Sequence, residues 1–154
     1  MYFWKIDKLN EDLVSAELNE SESFKYLMAN TILYSIGMIP YDEPNQFDVA
    51  NGMINVVIGI IGLLFIYKCN GGSAGKQIVG RFLSVGWVVG IRFITLLLIP
   101  AVLVATIIQE VYMGGIPEET TIIDVFFMQV STIIYFLWVA KHINYIAKQT
   151  HQKV

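Results

Sequence analysis

The chain has 154 residues, of which 55% fall in the broad hydrophobic set and only 15% are charged, with a formal net charge of −3. A mean hydropathy of +0.58 is high for a soluble domain, where charged residues make up about a quarter of the total. The apolar residues fall in long blocks rather than alternating faces, the pattern of membrane spans. Cys69 stands alone, which excludes an intramolecular disulfide, a thiolate metal cluster and a CxxC redox site. No concentrated basic surface is visible, so nucleic acid is not an expected partner.

The opening MYFWKIDKLNEDLVSAELNESE lacks a basic n-region followed by an apolar h-region and does not read as a cleaved signal peptide. Insertion would then rely on internal spans. Residues 1–22 read instead as a cytoplasmic leader. Within it, Leu9, Leu13 and Ala16 recur near helical spacing, Leu18 is less well placed, and Asn10 or Ser15 can cap locally. Such an amphipathic helix either covers the bundle or docks a cytoplasmic partner.

Four apolar runs follow, Phe24–Ile39, Val49–Tyr67, Phe82–Ile108 and Ile122–Ala140, within a membrane domain over 23–141 and ahead of a basic tail over 142–154. The first is short and carries Asn30, read as a helix–helix hydrogen-bonding group. Val49–Tyr67 carries Asn55 and the pair Gly59 and Gly62, three apart and suited to close helix approach. Phe82–Ile108 is 27 residues, about 40 Å if fully helical and longer than the roughly 30 Å hydrocarbon core. Gly86, Gly90 and Pro100 can bend it, or its first turns can lie near the interface. GWVVG (Gly86–Gly90) is a true GxxxG spacing, and Gly80–Ser84 is a second small-xxx-small pair.

The loop between the second and third runs holds NGGSAGKQ (Asn70–Gln77). A phosphate-binding Walker A loop needs G-x-x-x-x-G-K-[ST], but the terminal positions here are Asn70 and Gln77, and no strand precedes them. A tight cytoplasmic turn is the expected structure. Lys68, Lys76 and Arg81 there are candidates for contacts to anionic headgroups. The ten residues GGSAGKQIVG (Gly71–Gly80) resemble the GxTxGKxxxG-like segment of RDD-family membrane proteins. That local likeness implies an inner-face turn, and no function is transferred from it.

Charge sets the expected orientation. The PYDEPNQFD loop carries Asp42, Glu43 and Asp48, and the segment before the last run carries Glu110, Glu118 and Glu119, neither with a base. The loop with Lys68, Lys76 and Arg81, and the tail with Lys141, Lys148 and Lys153, carry no acid. Lysines and arginines accumulate on cytoplasmic loops, so both termini and the Lys68–Arg81 loop are expected inside, with Lys5, Lys8 and Lys25. That pattern fits four crossings and supports the short first run as a tilted or thinned-membrane span, the alternative being a helix lying at the surface. The expected fold is an all-α integral membrane four-helix bundle with a short N-terminal amphipathic helix, in the plasma or inner membrane.

Arg92 is the conspicuous polar residue. It cannot shed its proton, and counted from Phe82 it lies about 15 Å along its helix, so it must face protein, water or lipid phosphate. Asp124, near the outer end of the last run, is the obvious partner for an intramembrane polar network that also draws on Asn55, Gln129 and Asn30. Asp124 is alternatively an N-cap residue, with Thr120 and Thr121 competing. Trp87 and Trp138 are placed as interfacial anchors. His142 and His151 belong to a solvated or headgroup-facing helix end with no three-ligand metal grouping. Neither catalytic residues nor a metal or cofactor site is expected. The favoured function is non-catalytic, through self-association or assembly with another membrane protein, with membrane lipids around it. A homo-oligomeric channel or small-solute transporter using Arg92 comes second, and an intramembrane enzyme third.

Overall fold

The computed structural model describes residues 1–15, 18–37, 44–115, 117 and 119–152. Ala16, the end of the first expected span (Met38 and Ile39), and Asp42, Glu43, Glu118 and Lys153 lie outside them. Among the described residues the chain is all-α: α1 (Ile6–Ser15), α2 (Glu20–Gly37), α3 (Gln46–Cys69), a single 3₁₀ turn (Gly72–Ala74), α4 (Ile78–Phe93), a π turn (Ile94–Leu98), α5 (Ile99–Met113) and α6 (Ile122–Gln152). Three helices are long and apolar enough to cross a membrane: α3, the continuous helix Ile78–Tyr112, and α6 from Ile122 to Thr150. The protein is therefore a membrane protein by the length and composition of its helices. The expected first span lies in α2, which starts four residues earlier, on polar residues, and is not among those three.

The long middle helix starts before and ends after the expected Phe82–Ile108. Pro100 does not end it. Ile99 N–H donates to the Ile94 carbonyl, five residues back, so the helix widens by one π turn ahead of the proline, whose nitrogen has no proton to give. Gly114, at φ 73, closes α5 by donating to Glu110, the left-handed C-terminal stop that glycine adopts without strain.

α3 and α6 run parallel. Asn51 meets Gln129, Asn55 meets Thr132 and Gly62 meets Phe136, so both residue numbers rise together along the pair. The long middle helix runs the other way, since Gly90 faces Tyr135 while Gln109 reaches Asp124. The packed core gathers where α1 lies against α4 and the second half of α6. Ile6, Leu9 and Leu13 of α1 are buried with Val85, Val88 and Val89 of α4 and Val139, Ile143 and Ile146 of α6. By contrast α3 and α5 expose apolar side chains all along their length, among them Val56, Ile60, Leu64, Val102 and Ile107, as helices bathed in lipid do.

Small residues divide into used and unused. A Cβ on Gly62 would stand 2.5 Å from the Phe136 ring, and one on Gly86 would stand 3.0 Å from the Tyr135 hydroxyl. Gly90 and Gly80 have looser neighbours at 3.9 Å, in the Tyr135 ring and Ser23. Ser84 is buried and turns its hydroxyl back to the Gly80 carbonyl at 2.8 Å. Gly59, expected to pack with Gly62, has nothing within 4 Å.

Gly62→Val is therefore expected to lower stability by about 1–3 kcal/mol, the range for overpacking a filled contact. Gly59→Ala is expected to be neutral or to stabilise by up to about 1 kcal/mol through helix propensity. Thermal unfolding of both variants in one detergent, read by circular dichroism, checks the pair.

Candidate functional site

The polar groups collect at the two ends of the bundle, with one pair between. At the acidic end, Asn45 and Asp48 close the start of α3 with a capping box: the Asn45 side chain accepts from the Phe47 and Asp48 amides, and Asp48 accepts from the Asn45 amide at 3.0 Å. Thr120 donates to Asp48 Oδ1 at 2.6 Å, and Asn45 Nδ2 donates to the Thr120 carbonyl at 2.8 Å, so the caps of α3 and α6 are tied together. The start of α6 repeats the device. Asp124 Oδ2 accepts the Thr121 amide at 2.8 Å and its hydroxyl at 2.7 Å, while Gln109 of α5 donates to both Asp124 oxygens at 2.9 Å. Thr121, one of the two residues competing with Asp124 for the role, thus precedes the helix as the cap, and Asp124 sits at its third position. Acidic side chains at both helix starts also meet the positive end of the helix dipole.

In the middle, Gln129 donates to Asn51 Oδ1, and Thr132 lies 3.5 Å from Asn55. These bonds join α3 to α6 inside the apolar region, where unsatisfied amides are expensive. Asn51 was not singled out by pattern, since one asparagine near a helix start carries no periodic signal. Asn30 of α2 donates to the Tyr26 carbonyl at 2.7 Å and across to the Leu83 carbonyl of α4 at 3.1 Å, the interhelical role expected of it.

At the basic end, two arginines of α4, three helical turns apart, bracket α1. Arg81 is only 3% exposed. Its NH1 donates to Asn70 Oδ1 and its NH2 to Thr150 Oγ1, both at 3.0 Å, and Asn70 Nδ2 in turn donates to the Lys76 carbonyl at 3.1 Å. One guanidinium therefore clamps the end of α3, the Asn70–Gln77 turn and the end of α6. Arg81 is thus unavailable as the headgroup contact expected of it, whereas Lys68 and Lys76 are exposed. The turn fits tightly around Asn70: a Cβ on Gly75 would stand 2.2 Å from the Asn70 carbonyl oxygen.

Arg92 is not joined to Asp124. Its Nε donates to the Trp4 carbonyl at 2.9 Å, and its guanidinium carbon stands 5.5 Å from the centroid of the Trp4 ring, within cation–π range. The N-terminal segment that offers this carbonyl is itself held. Tyr2 donates its amide to the Tyr26 hydroxyl at 2.8 Å, and Phe3 packs edge-on against Trp87 at 5.7 Å. Tyr2 also donates its hydroxyl to Asp12 at 2.6 Å, which pushes its pKa up to about 12. Trp87 is accordingly buried rather than an interfacial anchor. Asn10, expected as a cap, lies inside α1, buried, with Nδ2 2.8 Å from His142 Nδ1. That bond needs the imidazole proton on Nε2, and it draws His142 away from the solvated position expected of it.

Depth along the helices follows from these contacts. Arg92 lies 17 positions before Gln109, and Lys141 lies 17 positions after Asp124, to which Gln109 is bonded. Both cations therefore stand about 25 Å from the acidic-end cluster, close to the thickness of a hydrocarbon core.

The expected network does not form one connected set: Asp124 lies at the acidic end, Gln129 and Asn55 between, Asn30 in α2 and Arg92 at the basic end. Among the described residues no three histidines, cysteines or carboxylates come together as metal ligands. Compared with known protein families, curated proteins and solved structures, the chain matches none.

Arg81→Gln is expected to cost about 2 kcal/mol of stability through the lost charge-assisted bonds, and Lys76→Gln less than about 0.5 kcal/mol as an exposed change. Denaturant unfolding in mild detergent distinguishes them.

Proposed function

We propose that this is a small multi-pass membrane protein, its basic end toward the cytoplasm, that works without catalysis by lateral assembly with further copies or with another membrane protein. The orientation rests on the basic residues: Lys68, Lys76, Arg81, Lys141 and Lys148 share one end of the bundle, and Asp48, Glu110, Glu119 and Asp124 the other. Assembly is carried chiefly by α3. It packs on α6 along one side and leaves the rest of a 24-residue apolar helix uncovered, with Gly52 and Gly59 open to close approach. Small residues on an open face permit a second helix to come near enough for dispersion contacts, which drive association in lipid.

The polar groups weigh against the alternative of a solute route. Arg92, Gln129, Asn55 and Asp124 are each engaged with a protein partner at separate levels, instead of lining one passage. α1, for its part, spends its apolar face inside the chain, leaving only its charged side for any cytoplasmic partner.

Gly59→Cys in a Cys69→Ser background is expected to form an intermolecular disulfide in native membranes under mild oxidation, while Ile107→Cys on α5 does not. Native mass spectrometry of the gently extracted chain is expected to give a defined oligomer or a stoichiometric complex. A bare monomer in several mild detergents, with no crosslink at Gly59, overturns the reading.

A further inference from the structure

We infer that Arg92 and Lys141, roofed by Trp4, form a binding site for the phosphate of an anionic phospholipid in the leaflet at the basic end. The inference is independent of assembly, since it concerns a single chain in its bilayer.

Three observations lead there. The first is the way Arg92 is used. Only its Nε is engaged, by the Trp4 carbonyl, and that bond fixes the plane of the guanidinium. Among the described residues, NH1 and NH2 meet no protein acceptor, and the side chain is partly exposed. A guanidinium held by its Nε presents its two terminal nitrogens as a fork, the geometry that takes two phosphate oxygens at once.

The second is depth and company. Arg92 and Lys141 stand the same number of positions from the Gln109–Asp124 bond, so both reach the level where headgroups begin. Trp4, bonded to Arg92, stands just ahead of α1, and Asn10 within α1 lies 2.8 Å from His142, the neighbour of Lys141 in α6. The two cations therefore belong to the region where α1, α4 and α6 meet. Asp7 stands in the first turn of α1, and Lys5, next to Trp4, adds a further base to the segment. The balance is positive in a chain whose total is negative.

The third is the aromatic cover. Trp4 is 45% exposed and Phe3 is 60% exposed although both belong to a segment tied into the bundle. An indole at the hydrocarbon boundary is in its preferred surroundings, and its neighbouring guanidinium then faces the phosphate layer. Anionic lipid, and not free phosphate, is the source this position favours, because diacyl chains reach the adjoining apolar surface of α5 while the headgroup stays beside Arg92.

The test uses the full-length protein in bilayers of phosphatidylcholine with a minor share of phosphatidylglycerol, followed by native mass spectrometry of the lipids that stay bound. The wild-type chain is expected to retain phosphatidylglycerol in preference to phosphatidylcholine. Arg92→Gln and Lys141→Gln are each expected to reduce that retention about fivefold, the effect of one cation at an anionic surface. Lys141 is exposed and, among the described residues, its side chain makes no bond to the protein, so Lys141→Gln reads lipid binding even if Arg92→Gln fails to fold. Lys148→Gln, two turns further along α6, is expected to leave retention unchanged. Equal loss in all three variants indicates diffuse charge and overturns the site, as does unchanged retention in Lys141→Gln. Millimolar inorganic phosphate is expected not to displace the lipid; displacement assigns the site to free phosphate instead and overturns the lipid assignment.

Discussion

A guanidinium keeps its proton under any condition a protein meets, so every arginine placed in an apolar helix must be supplied with acceptors by the rest of the chain. α4 carries two of them on one side. Arg81 is met by Asn70 and Thr150, and Arg92 by the carbonyl of Trp4. The acceptors come from three different places: the α3–α4 turn, the end of α6 and the N-terminal segment that leads into α1. Satisfying the two cations therefore draws the turn, the tail and the N-terminus to the same end of the molecule. The apolar contacts of Ile6, Leu9 and Leu13 then complete a packed cap that the charges have positioned.

The division between this cap and the rest of the bundle explains what could be read from the amino acids. Long apolar runs announced α3, the middle helix and α6, because burial in lipid demands continuous apolar length. The acidic and basic loops announced which ends lie together. Hydropathy, however, does not distinguish a helix buried by protein from one buried by lipid. Val85, Val88 and Val89 look like membrane residues and are packed in one cluster with α1. Asn10 was legible as a polar residue near the amphipathic stripe, but not as the partner of a histidine 132 positions away. Such pairings are set by tertiary approach, and nothing local encodes them.

The acidic end shows the opposite economy. Two parallel helices begin there, each with an aspartate in its first turn that answers its own free amides, and Thr120 and Gln109 stitch the two starts together and to the middle helix. The carboxylates are thereby engaged in closing helices. Their number at one end is a consequence of helix direction as much as of membrane orientation.

The parallel alignment of α3 with α6 also fixes an order of events during synthesis. Antiparallel neighbours can meet as soon as a short loop lets the second helix turn back, but parallel neighbours must wait for an intervening crossing. α3 emerges long before Phe136 exists to fill the hollow at Gly62, and the middle helix must cross in between. Until then α3 stands in the bilayer with its amides at Asn51 and Asn55 unmet. Pairings so distant in the chain are slow to form, so maturation of this small protein waits on its last helix, and a chain interrupted before residue 129 has a committed but unfinished helix that other small-residue faces can capture.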